Sequence, residues 1–164
     1  FSADEGERAR LWAARHGAYY AALALRKNAK GWPTDVCVPV SRLAECVDET
    51  AADIAAAGVV APIVGHVGDG NFHVVFVLPA TEDGSAVAPG PELEAAMALN
   101  DRLVERALAM GGTCTGEHGV GIGKMKWMEK QHGEGAMRYM GLIKKALDPL
   151  GIMNPGKIIP AKFL

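Results

Sequence analysis

The stretch Gly65-His-Val-Gly-Asp-Gly-Asn-Phe-His-Val-Val-Phe-Val-Leu78 decides the fold. It reads as a β-hairpin whose arms are Val59 to Val67 and Phe72 to Leu78, both rich in β-branched and aromatic residues. Asp69-Gly70 is a strong signal for a two-residue hairpin turn, because its central positions take positive φ. With that dipeptide at the centre, the ladder pairs Gly68 with Asn71, Val67 with Phe72 and His66 with His73. Directly opposed residues hold their Cβ atoms about 4.5–5.5 Å apart on one face, a separation from which two imidazoles can share a metal ion. A slip of one residue would send the rings to opposite faces.

Working outward, Glu5 to Leu25 is a long helical pattern with Leu11, Ala14, Ala18, Ala21, Ala22 and Leu25 on one stripe. Asn28 to Pro33 contains Gly31 and Pro33 and reads as loop; Thr34 to Val40 follows as a strand. Ser41 is placed to cap a helix with Leu43, Val47, Thr50, Ile54 and Ala57 on one face, which Gly58 stops. After the hairpin, Thr81 to Pro91 is a polar loop, and a helix over Leu93 to Leu108 ends at Gly111-Gly112. Thr113 to Thr115 reads as a short strand. The order strand, helix, strand, strand, helix, strand predicts an α+β fold with a ferredoxin-like antiparallel sheet (a βαββαβ core) and helices on one face. An N-terminal helix and a C-terminal helical tail around Met137 to Leu147 complete it. Because Val74 to Leu78 is apolar on both sides, the sheet's second face must also be covered, by the first helix, the tail or a further domain.

At 164 residues, 49% apolar and 22% charged with a net charge of -2, the chain suits one soluble domain. That balance offers no electrostatic attraction for nucleic acid. No run approaches the roughly 20 apolar residues of a membrane helix, and no signal-peptide pattern precedes Arg10. Cys37, Cys46 and Cys114 form no CxxC pair and read as free thiols. The opening at Phe1 without an initiator Met, with a helical pattern that starts abruptly at Glu5, reads as a fragment of something larger.

A third metal ligand should be a carboxylate or another nitrogen, and the remaining polar cluster is Gly116-Glu-His-Gly-Val-Gly-Ile-Gly123. Glycines permit close backbone approach, and a Glu-His pair among them marks a task, so Glu117 is taken as the third ligand. Two His and one carboxylate leave open positions on Zn²⁺ or Mn²⁺, suiting substrate binding rather than a closed structural site. The glycines do not space as G-x-G-x-x-G and no GKS or GKT follows, so a phosphate cradle is disfavoured. His16 and His132 read as ordinary helix or loop residues, and Arg15 alone among alanines is left open.

Leu11-Trp-Ala-Ala-Arg-His16, Thr34-Asp-Val-Cys-Val-Pro39 with Ser41-Arg-Leu43, Gly65 to His73, Gly112-Thr-Cys-Thr-Gly-Glu-His-Gly119 and Asn154-Pro-Gly-Lys157 together closely resemble the C-terminal domain of FAD-linked oxidases. The resemblance is to the FAD-dependent D-lactate dehydrogenase and glycolate oxidase large-subunit type, within the vanillyl-alcohol-oxidase superfamily. It implies a domain spanning 1–164 that covers the substrate side of FAD bound by an N-terminal domain absent from this chain. It implies metal ligands His66, His73 and Glu117, a general base at His118, substrate contacts at Arg15 and Asn71, and flavin-side contacts at Asn154 and Lys157. Relatives for dicarboxylate substrates carry a Lys shortly before the Asp-Val strand, where this chain has Trp32-Pro33-Thr34; that departure points to a small D-2-hydroxy monocarboxylate such as D-lactate. The implied partners are that hydroxyacid, the FAD domain and an electron acceptor of unstated kind. A homo-oligomer through the uncovered face is allowed. The implied setting is cytoplasmic, at most peripheral to the inner membrane. The isolated fragment is expected to be inactive. A stand-alone ferredoxin-like metal-binding or regulatory module is the competing reading, and hydrolysis is disfavoured because no HExxH helix exists.

Overall fold

The computed structural model describes residues 2–164. Helix α1 (Glu5–His16) starts where the Asp4 carboxylate accepts the Glu7 N–H at 2.7 Å, with Glu5 and Glu7 in its first turn and Arg15 and His16 in its last. Those charges complement the helix dipole. The single N-terminal helix expected is broken at Gly17, and α2 (Ala18–Leu23) continues from it. No α1 side chain is buried.

Strands β1 (Ala29–Pro33) and β2 (Val36–Cys37) lie on one edge of the long strand β4 (Asn71–Pro79), and β3 (Ile63–His66) lies on the other, all antiparallel. Two expectations are corrected here. The segment read as loop forms β1, and the strand expected over 34–40 shrinks to β2. Both keep one register on β4, from Pro33 opposite Val75 to Val36 opposite Phe72. Across the interruption, Thr34 donates its N–H to Val74 O and accepts the Val74 N–H on its hydroxyl, each at 2.9 Å. A side chain thus replaces one rung of the ladder.

Helix α3 (Leu43–Ala57) follows a 3-10 turn at Val40–Arg42, and Ser41 makes no side-chain cap. It stops at Gly58, whose φ of 66° closes the helix with a left-handed residue. Helix α4 (Pro91–Ala109) opens with proline in its first turn, where the missing N–H costs nothing. The anticipated last strand is reduced to a bridge between Thr113 and Cys37. The architecture is α+β with a four-stranded antiparallel sheet, and of the βαββαβ order all but that final strand forms. Helix α5 (Met128–Leu147) is kinked at Gly133, where φ is 79°.

β4 is buried on both faces. Phe72, Val74, Phe76 and Leu78 join Leu43, Cys46, Leu99, Leu103, Val104 and Met137 in the main core under α3, α4 and α5. The alternate residues Val75 and Val77 pack against Ala22 of α2. Two-sided burial explains why this strand reads as an uninterrupted apolar run. Asn71 and His73 share the α2 side with Val75 and Val77, beyond the end of that small cluster. Among the described residues no helix is long and apolar enough to cross a membrane, and the three cysteines are free.

Candidate functional site

The hairpin register differs from the expected one. His66 is opposite Asn71 and Val64 is opposite His73, with Val67 to Gly70 forming a longer connection instead of a two-residue turn. The Asp69 N–H bonds back to His66 O at 2.9 Å, and Gly70, at φ 74°, presents its carbonyl to the Val38 N–H at 3.0 Å. A Cβ at Gly70 would stand 2.0 Å from Val38 O, so the loop is drawn onto β2 by a contact only glycine permits. The slip is an even number of residues, so both histidines stay on one face as diagonal neighbours. Their ring centroids are 5.7 Å apart and perpendicular.

Glu117 Oε1 completes the cluster, 3.4 Å from His66 Nε2 and 3.2 Å from His73 Nε2. Ligand atoms about 2.1 Å from a tetrahedral ion lie about 3.4 Å from one another, so these two His–Glu spacings are compatible with one shared divalent cation. His73 Nδ1 sits 2.9 Å from Thr34 O, a carbonyl that can only accept, which fixes the ring with its Nδ1 proton on that oxygen and turns Nε2 toward Glu117. His73 is buried, whereas the side chains of His66 and Glu117 are 40% and 53% exposed, so the donor set opens to solvent.

The remaining predicted residues gather unevenly. Arg15 reaches the cluster from the end of α1, and its Nη2 lies 3.0 Å from His66 Nε2. His118 stacks on His73 with planes 6° apart and centroids at 4.9 Å, its Nε2 3.8 Å from Glu117 Oε1. Asn71 is buried and spends its amide on Asp35 Oδ1 and Val36 O, both at 2.8 Å. Asn154 and Lys157 stand apart, lining a tail cleft of about 290 Å³ together with Lys144, Asp148 and Leu164. The tail is tied to the glycine loop by the Ile158 N–H on Gly121 O at 2.8 Å.

Sequence reasoning missed Asp35. Its carboxylate is buried against the back of the site and accepts the N–H groups of Gly116, Glu117 and His118 on Oδ2 at 2.8, 3.0 and 2.9 Å. The Thr115 hydroxyl and Lys124 Nζ donate to the same oxygen at 2.8 and 3.1 Å. Burial alone would raise its pKa, but these donors and Asn71 outweigh it and hold the carboxyl far below the usual carboxylate range. Asp35, His73 and His118 also lie close enough together to hold an ion. Asp35 is already saturated by donors, however, so His66, His73 and Glu117 form the better donor set.

The family described as FAD linked oxidases, C-terminal domain, matches residues 1–158. The probable D-lactate dehydrogenase, mitochondrial, of Danio rerio is 47% identical over 156 residues, covering 95% of this chain and 30% of the relative. D-lactate dehydrogenase (cytochrome), mitochondrial, of Arabidopsis thaliana is 42% identical over 161 residues, covering 98% and 27%. Glycolate oxidase subunit GlcD of Escherichia coli is 31% identical over 167 residues, covering 96% and 30%. The chain thus spans less than a third of the length of these relatives.

Proposed function

The chain belongs to the C-terminal domain family of FAD linked oxidases, and from that membership we propose that it is the substrate- and metal-side domain of a flavoenzyme that oxidises a small D-2-hydroxyacid, such as D-lactate, to the 2-oxoacid. Relatives named D-lactate dehydrogenase and glycolate oxidase support the substrate class. The remainder of a relative-length polypeptide would hold FAD. Asn154 and Lys157 line an open tail cleft, and from there they would meet a flavin's edge.

The observation carrying this reading is the gathering of His66, His73 and Glu117 within reach of one ion, with Glu117 Oε1 3.4 and 3.2 Å from the two imidazoles and one side open. Zn²⁺ or Mn²⁺, when bound, supplies a Lewis acid for the substrate hydroxyl, and FAD, when present, supplies the two-electron acceptor for the α-hydride. The chain's own residues do the rest. The Arg15 guanidinium forms paired hydrogen bonds with the α-carboxylate, for which its fork is shaped. His118 takes the hydroxyl proton on a ring nitrogen, a task suited to a neutral imidazole at neutral pH. Stacking on His73 sets the plane of that ring. Asn71 orients the loop through Asp35 rather than reaching into solvent.

Metal content and affinity of the purified protein test this. Wild type should bind about one equivalent of Zn²⁺ or Mn²⁺; His66→Ala and His73→Ala should lose it, while His118→Ala should retain it and, in the polypeptide that includes the FAD domain, lose turnover. An ion still held by both His66→Ala and His73→Ala would sink the assignment.

A further inference from the structure

Asp35 stands where a strand interruption and a distant loop meet. It lies between Pro33, opposite Val75, and Val36, opposite Phe72, which brings it beside His73, with Oδ1 3.8 Å from the imidazole Nδ1. Its side chain is only 1% exposed. Donors converge on it from three places: the Asn71 amide on β4, Lys124 beyond the glycine loop, and the consecutive N–H groups of Gly116, Glu117 and His118. Consecutive main-chain N–H groups turned toward one anion form a nest, a concavity that ordinarily receives a ligand. Here the anion is the protein's own carboxylate. Lys124 Nζ also donates to Asp35 O at 2.9 Å, so the one ammonium holds both the side chain and the main chain of this residue. Gly116 admits no side chain: a Cβ there would lie 1.9 Å from Asn71 Nδ2 and 2.8 Å from Asp35 Oδ1.

We propose that Asp35 is a positioning residue: by gathering the main-chain N–H groups of 116–118 it fixes Glu117 and His118 over His73, so that the donor set is formed before any cation arrives. The consequence for metal affinity rests on the metal-site reading above, whereas the clamp on the loop does not. In this role Asp35 acts through the loop and not on the substrate or the ion. An amide in its place would offer a donor where the structure supplies only donors, leaving at least one of the loop N–H groups without its anion.

The test is residue-resolved hydrogen exchange of the metal-free protein, paired with Zn²⁺ titration, on wild type and Asp35→Asn. Exchange at the N–H groups of Gly116, Glu117 and His118 should quicken about ten- to a hundredfold, the loss of one charge-assisted hydrogen bond, while β4 and α4 stay protected. Zn²⁺ affinity should fall about 10–100-fold, as for other outer-shell partners of metal ligands. Unchanged protection at 116–118 overturns the proposal, and so does a uniform loss of protection that includes β4, which marks a role in holding the fold only. Should wild type bind no Zn²⁺, the metal-site reading falls and the exchange arm still decides on the clamp. If Asp35→Asn does not fold, Thr115→Val, which removes a single donor, must show the same loop-confined quickening in weaker form; its absence there also overturns the proposal.

Discussion

In the proposed metal site Arg15 and an arriving cation would compete for one lone pair, that of His66 Nε2, which the guanidinium approaches at 3.0 Å. A bound ion would displace this contact and free the Arg15 fork for a carboxylate. Arg15→Met should therefore strengthen metal binding, by up to about fivefold if the lost contact is worth ~1 kcal/mol, while weakening carboxylate binding. Removing a positive charge beside a cation site acts in the same direction. Calorimetric titration with Zn²⁺ and then with a 2-hydroxyacid checks both, and a variant with weaker Zn²⁺ binding would show that Arg15 supports the donor set instead. At this scale His66, His73 and Glu117 were legible because histidine pairs flanking a turn, and a Glu-His pair among glycines, are conspicuous within a few residues of sequence. Asp35 was not, since a single acid inside an apolar run carries no periodic mark, and its loop partners sit as far as 83 positions away.

The hairpin shows why faces are easier to read than registers. Alternation along β4 set which residues share a side, and an even slip preserved that assignment while replacing a two-residue turn with a longer loop held to β2 by Gly70. Nothing within the hairpin announces the Val38 contact that draws the loop out. β1 escaped notice because Gly31 and Pro33 resemble loop residues, yet Gly31 lies under the Tyr19 ring and Pro33 ends its strand, where a missing N–H is tolerated. The α3 and α4 pairing adds polar staples to its apolar seam: Asp53 meets Arg102 at 2.7 Å and Arg106 at 3.3 Å, and Arg106 also meets Glu49 at 3.0 Å. Arg102 holds the Asp53 carboxyl below its ordinary range against a smaller opposing effect of burial, and Arg106 lowers it a little further. A depressed carboxylate pKa contributes stability that is fully present above about pH 4 and is lost as pH falls further. Asp53→Asn should cost about 1 kcal/mol at pH 7, roughly 2–4 °C in Tm, and that difference should shrink by pH 3. Thermal unfolding at both pH values decides, and an equal loss at pH 3 would mean that packing, not charge, sets the effect.

Taken whole, the molecule buries one large core and leaves a second apolar surface bare. Tyr139, Leu142, Ile143 and Leu147 on α5, followed by Leu150, Ile152 and Met153, are each 60–80% exposed. On the helix their spacing of three and four places them along one stripe, the pattern of a face that packs against something. Isolated exposed apolar residues are ordinary, but a continuous stripe of this kind lowers its free energy by being covered. For these 164 residues on their own the available cover is another copy, so they should associate reversibly as their concentration rises, and Leu142→Lys with Leu147→Lys should suppress the association without lowering Tm, because neither side chain contributes to the core. Sedimentation velocity across a concentration series reads the first effect and thermal unfolding the second. A monomer at every concentration would show that the stripe, although apolar, is too interrupted by Lys144, Lys145 and the tail turn to bury itself against its own image, since a two-fold contact must set each of those lysines against the partner's equivalent surface.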